Sequence, residues 1–411
     1  MSKIIIIAGY TKNSYLKKIR THFKESEYIL ACAYTRQSNS DIKKNYLELF
    51  DSTYDLTNPA DKKRLKEDAE SILLVTCTQE RDMTAYIEAQ LLCGKITDEQ
   101  AHNYSTLIDK EFFKKSLQKK FPELVPDIHT VTPELLCDLE SLTYPLVVKP
   151  SGLAGSALVK IVNNAAEFKF HYETFSGLMA RFGDEIYHKK VSVVAEAYLS
   201  GPQYSMNLYV NAAGEVVFCP LVRVVTPGEF GIDDTYSALQ YTTDELSAAD
   251  LTNLHDSIKK IIAHFKVKNT SMHFDSVLHN GEWKFFEVGL RIGGNRQKLF
   301  ELYNGMDHFM NDINNRIGKT ITIAARERTA CIVQKAATKH GTLKQIQYTR
   351  TIDELDSSIV TEDKISKIGK VTGPVSTGGG VITRHFVYGK VQDQVVLVSK
   401  RLFNEIKIEV A

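Results

Sequence analysis

Phe274–Arg291 reads FDSVLHNGEWKFFEVGLR. Two apolar, aromatic-rich half-strands flank Asn280-Gly281, a pair that favours a two-residue hairpin turn. Each half carries one acid, Asp275 and Glu287, and Arg291 follows. Side chains alternate faces along a strand, and directly opposed residues on antiparallel strands share a face. A strict two-residue loop would oppose Asp275 to Phe286 and send the two acids to opposite faces. A three-residue loop with a glycine bulge shifts the pairing by one and brings both acids to one face, where they could share a divalent cation. The hairpin alone leaves both arrangements open.

Working outward, the chain has 411 residues, 43% hydrophobic and 25% charged, a globular composition sized for roughly two or three domains. A net charge of +1 gives no broad electrostatic footprint for nucleic acid or membrane. Six dispersed cysteines without a Cys-x-x-Cys pair argue against a disulfide framework or structural zinc and fit a reducing, cytoplasmic setting. The run Ile4–Ala8 is too short for a signal segment or a membrane span and reads as a buried strand.

KIIIIAGY, ILACAYT and SILLVTC are buried-strand patterns, and SYLKKIRTHFK between the first two has helical spacing. Strand alternating with helix predicts a small doubly wound α/β domain over residues 1–103. Only Gly9 follows the first strand, so a dinucleotide fingerprint with three spaced glycines is lacking. Residues 104–318 change texture. DKEFFKKSLQKKF predicts an amphipathic helix with a basic face. TYPLVVKPSGLAGSALVKIV predicts a strand, a glycine loop and a second strand, and AAEFKFHYETFSGLMARFG a helix after the Asn163-Asn164 turn. Val225–Tyr241 is a polar, glycine-bearing loop, a candidate lid. DLTNLHDSIKKIIAHFKV predicts a helix, and LFELYNGMDHFMNDINNRIGK a helix interrupted at Asn304-Gly305. Over residues 319–411, TACIVQKAA and GVITRHFVYGKVQDQVVLVSK read as β-rich parts of a smaller α+β unit.

Lys149 ends the apolar strand PLVV just before the glycine loop, where an ammonium can meet phosphate oxygens while loop amides donate around them. A lysine leaving a strand end into solvent is the plain alternative. Glu196 in VVAEAYL is a strand-end charge or an acceptor for an exocyclic amine. RIGGN, after Glu287, is a strand-to-helix turn that also presents Arg291 to a ligand; Arg296 reads as structural. Ser376, Thr377 and three glycines read as a hairpin connection rather than a phosphate nest.

Taken in order, lysine helix, strand–Lys–Gly loop, strand–Glu and acid–hairpin–acid-x-x-x-Arg resemble the ATP-grasp superfamily of carboxylate–amine ligases, with the L-amino-acid (dipeptide) ligases nearest in pattern. The resemblance implies ATP-grasp architecture: an N-terminal Rossmann-like domain, a central ATP-grasp domain and a C-terminal cap. It implies ATP and magnesium (or manganese) as cofactors. Lys110 and Lys149 would be the phosphate lysines, and Ser151, Gly152, Gly155 and Ser156 part of the loop over the triphosphate. Glu196, with the backbone of Ala197 and Leu199, would hold adenine, and Gln203 ribose. Asp275 and Glu287, twelve residues apart, would hold the metal. Arg291 would grip substrate carboxylate or phosphate charge and, with Lys149, serve catalysis. The Asn280-Gly281 turn would then have to be bulged. The partners implied are a small carboxylate and a small amine, with no nucleic acid or membrane, and a homodimer.

Two positions depart from the pattern. Gly289 stands where many members have a metal-binding asparagine, and Gln203 where many have a ribose-binding glutamate. Some dipeptide ligases share the first departure. The rival readings are a biotin-carboxylase-like enzyme acting on bicarbonate and a catalytically silent ATP-binding regulator.

Overall fold

The computed structural model describes residues 2–24, 27–35, 42, 44–152, 155–182, 191–348 and 359–411. Four parallel strands open the chain: β1 (Lys3–Ala8), β2 (Tyr28–Tyr34), β3 (Ser52–Asp55) and β4 (Ile72–Cys77), ordered β3-β2-β1-β4. The isoleucine run is covered on both sides. Ile4, Ile6 and Ala8 enter one apolar cluster, and Ile5 and Ile7 another. β3, the polar STYD edge strand, lies outside the runs that marked the other three.

The second sheet is antiparallel, ordered β5-β8-β6-β7 from β5 (Ile128–Thr130), β6 (Leu146–Pro150), β7 (Lys160–Val162) and β8 (Val193–Ala197). The helix Ala165–Phe182 packs on it, with Phe168 and Met179 buried against Val148 and Ala195.

Twelve further strands are described. In chain order they are β9 (Gln203–Val210), β10 (Val216–Phe218), β11 (Val222–Val225), β12 (Leu239–Thr242), β13 (Thr270–His279) and β14 (Glu282–Gly289). They continue with β15 (Thr329–Ala336), β16 (Gly341–Tyr348), β17 (Ile359–Ile365), β18 (Val371–Thr372), β19 (Val381–Gly389) and β20 (Ile406–Val410). Nine of them form one sheet, β14-β13-β9-β11-β12-β15-β19-β17 with β10 beside β9, and β18-β16-β20 form a small separate sheet. QDQVVLVSK is not β structure. It begins the helix Gln392–Glu405, whose Val395, Val398 and Leu402 recur at helical spacing and are buried.

Alternation on the large sheet sets up the site. Phe274 and Met272 of β13 and Met206 and Leu208 of β9 face one way, onto Leu254 and Ile258 of the helix Ala248–His264. His273, Asp275 and Val277, with Gln203 and Ser205, face the other way, into a cleft. The helical stretch after β14 breaks at Gly305 (φ +73°), separating Arg296–Asn304 from His308–Arg316. The second of these bolts the first sheet to the large one. Asp312 accepts from Thr76 of β4 and Ser271 of β13, and Arg316 donates to Asp312, Tyr86 and Thr270. All six cysteines are free, and among the described residues no helix is long and apolar enough to cross a membrane.

Candidate functional site

Asp275 and Glu287 are directly opposed in the β13–β14 ladder, so the two acids share a face. The turn is not the reason. His279 pairs with Glu282, leaving a tight two-residue loop in which Asn280 (φ +51°) and Gly281 (φ +83°) take left-handed conformations. The extra residue sits further along. Ser276 pairs with Phe285 and Asp275 with Glu287, so Phe286 is a bulge inside β14. The expected bulged turn is therefore corrected to a tight turn and a bulged strand. The bulge presents two consecutive residues, Phe286 and Glu287, to the same cleft.

That cleft has a volume of about 960 Å³ and is lined by residues of the second sheet, the large sheet and the loops between them. Asp109 caps the helix Lys110–Gln118, accepting from the amides of Glu111 and Phe112. This fixes Lys110 at the first turn, and its Nζ lies 3.3 Å from Glu287 Oε1. Lys149, at the end of β6, lies 2.8 Å from Glu196 Oε2 and 5.8 Å from the centre of the Phe286 ring. Glu196, only 2% exposed, is held from its other oxygen by Lys114 at 2.6 Å.

Lys114 is the residue that sequence reasoning passed over. It is wholly buried, on the helix read from the sequence only as carrying a basic face. Its signal was there: it follows Lys110 by four residues and so shares its face. Burial pulls the Lys114 ammonium down to about 7 against the attraction of Glu196, with Lys149 adding to the fall. Burial pushes the Glu196 carboxyl up, but Lys114 and Lys149 more than reverse this and hold it below the usual range. Burial acts the same way on Glu287, and Lys110, His273 and Lys149 hold it low.

Arg291 also has a partner no sequence pattern announced. Its Nε and one Nη each lie 2.9 Å from Glu80 Oε2, and its other Nη donates to the Ile292 carbonyl. Glu80 follows β4, at the carboxyl edge of the parallel sheet, where ligands of such sheets bind. Gly289 is explained by His273, its opposite number on β13. A Cβ at residue 289 would lie 2.2 Å from His273 Cε1, so the imidazole fills the space an asparagine would need. His273 Nδ1 donates to the Arg291 carbonyl at 3.1 Å, and burial with the Arg291 charge lowers its pKa.

The remaining sequence-derived residues divide. Gly155, Ser156, Ala197, Leu199 and Gln203 line the cleft. Ser151 and Gly152 are buried and are not among those that line it, and the Ser151 amide donates to the Ser192 carbonyl. Leu153 and Ala154 of the glycine loop lie outside the described residues. The Val225–Tyr241 stretch forms part of the wall. Its Asp234 accepts from the amides of Val375 and Ser376. Three amides of the following Thr-Gly-Gly-Gly stretch bond within the connection, Thr377 and Gly379 donating to Pro374 and Gly378 to Val375.

Residues 142–298 match the ATP-grasp domain family. No curated protein matches the sequence. The whole chain superposes on 99% of an L-amino acid ligase from Bacillus licheniformis, with a TM-score of 0.75 at 16% identity. It also superposes on all of an N5-carboxyaminoimidazole ribonucleotide synthetase from Thermotoga maritima (TM-score 0.63, 13% identity). A third match is the biotin carboxylase domain of a Hydrogenobacter thermophilus 2-oxoglutarate carboxylase, solved with MgADP, ADP and bicarbonate. All of this chain covers 91% of that one, with a TM-score of 0.61 at 13% identity. Family match and fold are compatible: residues 142–298 match the ATP-grasp domain, and the whole chain shares the fold of the L-amino acid ligase.

Proposed function

We propose that the protein is an ATP- and magnesium-dependent ligase that activates a carboxylate as an acyl phosphate and joins it to the amine of an amino acid, forming an amide or dipeptide, ADP and phosphate. The observation that carries this reading is the pairing of Asp275 with Glu287 on one cleft face, opposite Lys110 and Lys149. Their four hard oxygens suit a cation that completes its shell with water and phosphate, such as magnesium or manganese. Such an ion would neutralise charge gathering on the phosphate oxygens.

The chain's own groups then have distinct tasks. Lys110 and Lys149 meet the phosphates, with the loop at Gly155 and Ser156 above them. Glu196 retains acceptor lone pairs beside its two lysines and takes the adenine amine, flanked by the backbone of Ala197 and Leu199. Gln203 reaches a ribose hydroxyl. Arg291, steadied by Glu80, faces the phosphoryl group as the donor carboxylate oxygen attacks phosphorus and ADP departs. A preorganised charge of this kind contributes roughly 3–4 kcal/mol to lowering a barrier. The amine then attacks the acyl carbon and phosphate leaves. Closure at Ser151–Ser156 and Val225–Tyr241 would keep water from the acyl phosphate. The same reading divides the chain at about residues 103 and 318, and places it in the cytoplasm as a homodimer.

The test is ATP, magnesium and a pool of amino acids and amines, read by phosphate release and product mass. Amine-dependent release with a new amide mass supports the ligase. Bicarbonate-dependent release transfers the assignment to a carboxylase, and tight ATP binding with no turnover to a regulator.

A further inference from the structure

Glu196 carries two lysines, one on each oxygen, and they differ in reach. Lys149, near the end of β6, lines the cleft and lies 2.8 Å from Oε2. Lys114 lies 2.6 Å from Oε1, is 0% exposed and is not among the residues that line the cleft. Its Nζ also donates to the Lys110 carbonyl at 3.4 Å, one turn back on the same helix. Among the described residues neither lysine has a second carboxylate in ion-pair range. The trio therefore sets two positive charges against one negative. Stability alone does not account for its third member. Glu196 and Lys149 already neutralise each other, and a second buried ammonium adds a desolvation cost and repels the first.

What the surplus charge changes is the freedom of Lys149. With Lys149 as its sole partner, Glu196 would become a lone buried anion whenever that ammonium turned to a phosphate, and such a charge is costly. With Lys114 fixed behind it, Glu196 stays compensated, and the net positive charge faces the cleft through Lys149. We propose that Lys114 is a positioning residue for the nucleotide: as the standing counter-ion of Glu196, it releases the Lys149 ammonium to the phosphates. Lys114 acts through Glu196 and touches no ligand itself. This rests on the reading of Lys149 as a phosphate lysine of the ligase.

The test is equilibrium dialysis of the whole chain with labelled ATP and magnesium, with adenosine as the competitor that lacks phosphate. The readout is the ratio of the adenosine to the ATP dissociation constant. Lys114→Met should lower that ratio by on the order of tenfold through weaker ATP binding, close to the worth of one charge-assisted contact. Lys114→Arg, which keeps the charge, should recover most of the loss. Once Glu196→Gln removes the carboxylate, nothing competes for Lys149, and adding Lys114→Met should alter the ratio by less than about twofold. Lys114→Gln takes the place of Lys114→Met if the latter does not fold. An unchanged ratio in Lys114→Met overturns the proposal, as does a joint weakening of ATP and adenosine, or an equal loss in the Glu196→Gln background. A wild type that binds no ATP overturns the nucleotide reading itself, and this with it.

Discussion

Glu196 and Glu287 are both glutamates that meet lysine across the same cleft, yet their surroundings are opposite. Glu196 is sealed, with two ammonium groups at 2.6 and 2.8 Å and almost no exposure. The Glu287 side chain keeps 26% of its surface and has one lysine at 3.3 Å. A sealed pair costs much to assemble and more to break, because a lone charge would remain in a poor solvent. An open pair can exchange its partner for a cation or a phosphate at little cost. Within one charged cluster, therefore, depth separates the pair that is costly to break from the pair that can readily change partners.

Four experiments would break or sharpen that contrast, in falling order of effect. Glu287→Gln should cut ATP turnover by at least roughly 100-fold while leaving thermal unfolding close to wild type; an active variant would end the metal assignment. Glu196→Gln should do the reverse to stability. Two buried ammonium groups lose their anion, at about 3–5 kcal/mol, read by denaturant titration. This loss should depend on pH in one direction. The Glu196 carboxyl is held low in the folded state, so its contribution is present above the unfolded value of 4.5 and disappears as pH falls through the folded value. Wild type and Glu196→Gln should therefore converge in strong acid.

Gly289→Asn should destabilise by about 1–3 kcal/mol through collision with His273, and His273→Ala in the same chain should recover most of that loss. A stable single variant would show that the imidazole yields. Gly281→Ala is the mildest. Its left-handed φ should cost about 1 kcal/mol in chemical unfolding and leave turnover intact. A lost activity would return responsibility for the carboxylate pairing to the turn.

The strands β1, β2 and β4 were legible because double-sided burial leaves a continuous apolar run. β3 was not: four residues at a sheet edge carry no such run. QDQVVLVSK misled through its valines, whose β preference yields to three-and-four spacing once a sheet lies beneath the helix. The acids of the hairpin were legible as residues but not as neighbours. Nothing in Phe285-Phe286 says which ring leaves the ladder; in the fold Phe285 stays paired with Ser276 and is buried, and Phe286 leaves the ladder for the cleft. Lys114 and Glu80 were hidden for another reason. Their importance lies in partners 82 and 211 positions away, Glu196 and Arg291, and local pattern does not reach that far.

One further point follows from where the bulge sits. A protein shortened by Phe286 alone could still set Glu287 across from Asp275, because the rungs on either side would simply close up. What such a chain would lack is the aromatic face beneath Lys149. The surplus amino acid thus furnishes a cushion for an ammonium, and cutting it out would part the paired acids from the cushioned lysine in one stroke.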